Sequence, residues 1–516
     1  MKKWNALLAL ALVFIMLFSA CGNKTAEAPA PENTPAASET DAKRDDIVIS
    51  LWAEPLSLCA AFNSKAFNSI ISGDICEPLI NYNDDGTFTP VLATSWELEN
   101  GGKDIVFELR EGVKFSNGEP MTADDVVFSY NTIIDLGYVD NVTGVMDHME
   151  KVDDSHVRLV FDQAYGPALL CVASDSMCIF PQAYYESNKD TFERNPVGTG
   201  PYKLVEWKTG DSITMTANET YWDGPAAIQN VTYKFFTDDS AAVIALESGE
   251  VDVLLSVPAA SISRLQNNPD LQEHSAESLT SSWVFFNHVG YFEDENVRLA
   301  VAYALNKEEI NMGATEGDGV VADSIFPSFL EGASGLDYTA PTNNLELAKE
   351  YMANSAYPEG FSVTVKVPAD STFYKPLDIV QAQLLQIGIN IDVEKVETGT
   401  WYSDVFETGN YEMGMMTNTL AWADMDDMWI FYHSGAFLNT GNVNYPELDK
   451  LWEGFRWTPS GEERAKIGND IIRYLGDHAI VVPLYSLNNH IAANKDLKGV
   501  TAHASKADYR ASEWSW

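Results

Sequence analysis

Positive charge is what this chain has least of. Its 516 residues hold 32 Lys and Arg against 76 Asp and Glu, a formal net charge of −44. Polyphosphate would be repelled at every approach, which argues against a nucleic-acid partner. The acidic excess itself says mainly that the surface is well solvated. Histidine is also scarce, eight residues scattered without a His-Glu-x-x-His. There is no Gly-x-Ser-x-Gly elbow. There is no phosphate loop either, because Gly102 and Lys103 are followed by Asp104. The five cysteines contain no Cys-x-x-Cys, which argues against zinc or redox chemistry. These absences move the expectation from enzyme to binding protein, with no metal and no cofactor. A surface hydrolase stays as the remote alternative.

What is present is globular material. Hydrophobic residues make up 46% of the chain and aromatics 11%, and the length calls for two or three domains. The opening MKKWNALLALALVFIMLFSACGNK combines Lys2 and Lys3 with an apolar run from Ala6 to Phe18. Residues 1–20 therefore read as a secretory signal peptide, too short to be a lasting membrane span. Ser19-Ala20-Cys21-Gly22 resembles a bacterial lipobox, with Cys21 as the lipid-bearing residue, although Phe18 stands where leucine is usual. Residues 21–45 are rich in Pro, Ala, Ser, Thr and Glu and read as a flexible tether. No second apolar run of about 18 residues follows. Lipid, tether and globule together predict a lipid-anchored protein on the outer face of the cell membrane, at the cell surface or in the periplasm. Export permits disulfides among Cys59, Cys76, Cys171 and Cys178. Three pairings are possible, and short spacing favours Cys171 with Cys178.

Strand–helix–strand patterns recur. Val231–Phe236, a helix with Asp239 or Ser240 as its cap and Gly249 as its end, and VDVLL form one unit. FSVTVKV, KPLDIVQAQLLQIG and INIDVEKV form another. Such units imply parallel neighbouring strands, and two separated sets imply two α/β lobes. In PMTADDVVFSYNTII, Thr122 and Asp125 form a near capping box. Val126, Val127, Tyr130, Ile133 and Ile134 then share one apolar face, read as core, with Tyr130 as an outside candidate for ligand contact. NYNDDG imitates part of a calcium loop but lacks the Asp and Glu at its ends, so a hairpin turn is expected.

Several blocks then add up in order. Glu77–Asn131, VGTGPYKLVEW, NETYWDG, ALESGEVDVL, FFNHVGYFEDENVRLAVAYALNKEEI, ADSIFP, LLQIGINIDV and VVPLY resemble the family 5 extracellular solute-binding proteins. These are dipeptide, oligopeptide and nickel receptors of ABC importers. KFSNGEP departs from the family, which usually has His-Asp before the glycine.

The resemblance implies an α/β, two-lobed fold of the periplasmic-binding-protein type II, in its large three-part form. Lobe I would comprise residues 46–285 and 487–516, with 81–198 an inserted subdomain, and lobe II residues 286–486. The chain would cross at FFNHVG and VVPLYS, making those the hinges. The implied function is peptide capture between the lobes and delivery to permease subunits with their ATPases, by a monomer. The alternative is the same role with an oligosaccharide, opine, haem or metal chelate. In NTLAWADMDDMW, Trp422 would be an aromatic wall and Asp424 the anchor for a ligand ammonium. Asp427 is the second candidate anchor, Trp401 a further aromatic contact, and Asp426 a solvated or capping residue.

Overall fold

The computed structural model describes residues 44–63, 65–369 and 374–516. The signal peptide, Cys21 and all but the end of the tether lie outside the described residues.

One mixed sheet of nine strands organises the chain. From one edge it runs Met413–Thr419, Leu271–Phe286, Val481–Asn494, Val253–Leu254, Asp46–Leu51, Asn230–Phe235, Ser212–Ala217 and Tyr202–Lys208. Val320–Val321 adds beside Val481–Asn494. The first expected strand–helix–strand unit is present with one difference. Asn230–Phe235 and Val253–Leu254 are not neighbours, because Asp46–Leu51 lies between them and is parallel to both. The helix between them, Asp239–Ser248, is capped by Asp238 rather than Asp239 or Ser240. The Asp238 carboxylate accepts the Ala241 N–H, and Gly249 ends the helix at φ 74°. In the second unit Phe361–Pro368 and Ile389–Val396 pair directly and in parallel.

Residues 93–161 build a separate four-stranded antiparallel sheet. The helix Ala123–Leu136 follows its second strand, and its capping box forms: Thr122 accepts the Asp125 N–H, and Asp125 accepts the Thr122 N–H. Such a cap contributes about 1 kcal/mol. Val126, Tyr130 and Ile133 are buried along it, so Tyr130 is a core residue with its ring fully enclosed, away from the residues that line the cavity described below. NYNDDG is a hairpin turn joining Ile80–Tyr82 to Phe88–Pro90.

Apolar packing follows the order of the chain. One core gathers residues from 47 to 255 with 491 to 514. Two others gather residues between 279 and 485. The strands Leu271–Phe286 and Val481–Asn494, 16 and 14 residues long, run antiparallel through both regions. Their ladder is irregular between Glu277 and Ser281, opposite Ser486–Asn488, and again between Ser282 and Trp283. The first of these steps lies where one core gives way to the other. Phe285, paired with Val481, is the last register pair of that ladder.

Candidate functional site

The sequence blocks around Glu77 meet in space. Its buried carboxylate accepts hydrogen bonds from Thr199 Oγ1 (2.8 Å), Tyr221 Oη (2.7 Å) and Trp222 Nε1 (2.9 Å). Burial pushes its pKa up to about 7, and the three donors oppose that rise. Gly198 and Gly200 sit against the end of the helix Ala66–Ile75. A Cβ on Gly198 would lie 2.3 Å from the Ile75 carbonyl oxygen, and one on Gly200 would lie 2.6 Å from that of Asp74. VGTGPY and NETYWDG are therefore a structural knot around the Glu77 carboxylate and the end of that helix.

A cavity of about 490 Å³ opens elsewhere in the molecule. Four segments line it: Asn81–Asp84 from the hairpin, Ala173–Ser176, Ala421–Ala423, and the C-terminal stretch from His503 to Glu513. Its charges are unbalanced. Asp84, Asp175, Asp508 and Glu513 face only His503 and Arg510. Both cations already have partners: His503 Nδ1 lies 2.8 Å from Asp84 Oδ2, and Arg510 Nη2 donates to Asp175 Oδ1 at 2.7 Å. Arg510 also donates to the Ala507 and Tyr509 carbonyls. Among the described residues, the carboxylates of Asp508 and Glu513 have no hydrogen-bond or ion-pair partner. Burial raises Asp508 to about 7, with Arg510 and His503 opposing the rise and Asp175 and Asp84 adding to it. Burial raises Glu513 as well.

Of the residues expected at the site, only Trp422 lines this cavity. Its ring packs against the first core although its chain neighbours belong to the other side of the cleft. Asp424 is not available to a ligand. Arg464 Nη1 and Nη2 donate to its two carboxylate oxygens at 2.8 Å each, and the Asp426 N–H takes a further contact. Both residues are almost wholly buried. Asp427 accepts the Ala421 N–H at 2.9 Å, so it holds the cavity wall rather than facing the cavity. Burial raises it to about 6. Asp426 is neither solvated nor a cap. It is buried and accepts from Tyr165 Oη (2.9 Å) and Arg456 Nη1 (2.8 Å). Trp401 donates to the Lys366 carbonyl and packs edge-on against Phe406, away from the cavity. The residues that sequence reasoning missed, Asp508 and Glu513, stand in a segment with no motif. Their only signal was acid beside aromatics in KADYRASEWSW.

Mixed α/β layers, two regions of core joined by long crossing strands, and a cavity walled from both sides define a binding protein of the periplasmic-binding-protein fold. The profile "Bacterial extracellular solute-binding proteins, family 5 Middle" matches residues 87–439, and the chain belongs to that family. It is similar to the oligopeptide-binding protein AppA of Bacillus subtilis (strain 168), 25% identical over 98% of each chain. It is also similar to heme-binding protein A of Haemophilus influenzae, 26% identical over 90% of each chain. The solved structure of HbpA2 from Haemophilus parasuis superposes with a TM-score of 0.83 at 23% identity, covering 91% of this chain and 99% of that one. No helix among the described residues is long and apolar enough to cross a membrane.

Proposed function

We propose that this protein is the lipid-anchored receptor of an ABC importer, held at the membrane through Cys21. It captures peptides in the cavity beside Trp422 and hands them to permease subunits. Relatives named as oligopeptide- and dipeptide-binding proteins support this reading. The observation that carries it is the charge of the cavity, two unpartnered carboxylates beside cations that are already paired. A site of that kind favours a ligand that brings a positive group, and a peptide α-ammonium supplies one.

In this reading Asp508 anchors the ammonium, Glu513 supports it, and Trp422 closes over the backbone. Asp508, raised by burial, must be ionised to pair. Binding of a cation therefore releases a proton near neutral pH, and affinity rises as pH climbs through about 7. The lobes move about the irregular step at Glu277–Ser281 and Ser486–Asn488. The Tyr165–Asp426 hydrogen bond joins residues 81–198 to the opposite side of the cleft when it is shut.

Calorimetry with a mixed library of unblocked di- to pentapeptides, against the same library N-acetylated, tests this reading. Heat from the unblocked library alone is expected. No heat from either library would overturn the peptide assignment, and equal heat from both would overturn the ammonium contact.

A further inference from the structure

Outside the cleft, three of the four described cysteines converge on one point. Cys59 lies in the loop after Asp46–Leu51, Cys76 at the C-terminal end of the helix Ala66–Ile75, and Cys178 just beyond Asp175–Met177. Their sulfurs all lie within 4.8 Å of one another, and Cys59 Sγ is 3.3 Å from Cys178 Sγ. All three residues are wholly buried. Cys171, buried nearby in sequence, stands outside the group, so the pairing of Cys171 with Cys178 that short spacing favoured does not occur.

We infer that Cys59, Cys76 and Cys178 form a three-thiolate site for a soft monovalent cation of the copper(I) type. Metal–sulfur bonds of about 2.3 Å hold three trigonal sulfurs roughly 4 Å apart, within the 4.8 Å limit that contains all three sulfurs here. Among the described residues no His, Asp or Glu joins the group, so the four-ligand set of a structural zinc site is incomplete. Thiolates alone select the softest ions.

The surroundings hold the sulfurs in place. The Cys76 N–H donates to the Ser72 carbonyl at 2.7 Å, the Cys59 N–H to Ser57 Oγ at 3.1 Å, and the Ile179 N–H to the Glu77 carbonyl at 3.1 Å. Position 198 is glycine, where a Cβ would stand 2.6 Å from Cys76 Sγ. Each thiol still protonated gives up one proton as it ligates, and no electron is transferred. The ion would fasten the segment carrying Cys178 to the core carrying Cys59 and Cys76. With no water-accessible side, it would enter during folding.

The test uses the full mature chain, purified anaerobically and refolded with copper(I) supplied as a buffered complex. Retained copper is measured by elemental analysis, and charge transfer from thiolate by near-ultraviolet absorption. About one ion per chain is expected, with retention falling roughly tenfold or more in Cys76→Ser and unchanged in Cys171→Ser. If Cys76→Ser does not fold, thermal unfolding of the wild-type chain with and without copper(I) decides instead, and a raised midpoint is expected. Three results would overturn the site: a Cys59–Cys178 disulfide found by peptide mapping, no copper retained after refolding, or an unmoved midpoint.

Discussion

Two acidic segments of this molecule look alike in sequence and behave in opposite ways. Asp424–Asp427 lies beside Trp422 in the middle of the chain, and Asp508–Glu513 lies beside Tyr509 and Trp514 near its end. In the first, Asp424 and Asp426 each meet an arginine, at Arg464 and Arg456, and are buried with it. In the second, the only arginine, Arg510, is turned to Asp175, and the remaining carboxylates are left to the cavity. The difference lies in long-range partners rather than in the acids themselves. A carboxylate whose two oxygens are satisfied by a buried guanidinium is part of the scaffold. One that is half-buried without a partner is costly by itself and is stabilised by whatever cation arrives.

The strongest way to break this contrast is to unpair the first segment. Arg464→Ala leaves the Asp424 carboxylate buried alone and is expected to cost about 3–5 kcal/mol of stability, read from denaturant unfolding. A cost under about 1 kcal/mol would mean that Asp424 is not committed to Arg464. The next effect falls on the second segment. Asp508→Asn is expected to lower affinity for unblocked peptides by roughly tenfold to a hundredfold, the worth of a charged hydrogen bond, with the fold intact by circular dichroism. Trp422→Ala removes a wall but no charge. A loss of about 1 kcal/mol, near fivefold in affinity, is expected by calorimetry for blocked and unblocked ligands alike.

The smallest effect is on pH dependence. Asp508, Asp74 and Glu77 are each raised to about 7, for all three chiefly by burial. Between the ordinary carboxylate range and that value the folded state binds more protons than the unfolded chain. Stability of the ligand-free protein therefore falls as pH rises from about 4 to about 7. Asp508→Asn should flatten that slope, which thermal unfolding across the range would record.

How much of this was readable beforehand depends on how far apart the partners stand. Thr122 and Asp125 are three residues apart, and their capping box was legible. So were the NYNDDG hairpin and the Gly249 stop, because backbone chemistry within a few residues decides them. The parallel pairing of Phe361–Pro368 with Ile389–Val396 was legible from the period of its apolar residues. The insertion of Asp46–Leu51 between two strands of the other unit was not, since it comes from nearly 180 residues upstream. Trp422 as a wall followed from family resemblance. Asp424 as anchor did not survive, because its partner Arg464 lies 40 residues away in a helix whose pattern reads as ordinary amphipathic surface. The cysteine convergence was hidden for the same reason: Cys59 and Cys178 are 119 residues apart, and proximity in sequence pointed to Cys171 instead.

The central claim is that the ligand's charge is met at Asp508 and not at Asp424. It is tested most directly by titrating one unblocked peptide, and its N-acetylated form, into the wild-type protein and Asp508→Asn by calorimetry in buffers of differing ionisation heat near pH 7. The wild type is expected to bind the unblocked peptide more tightly than the acetylated one and to release protons as it does. In Asp508→Asn both the preference and the proton release should vanish. A variant that keeps them would contradict the assignment.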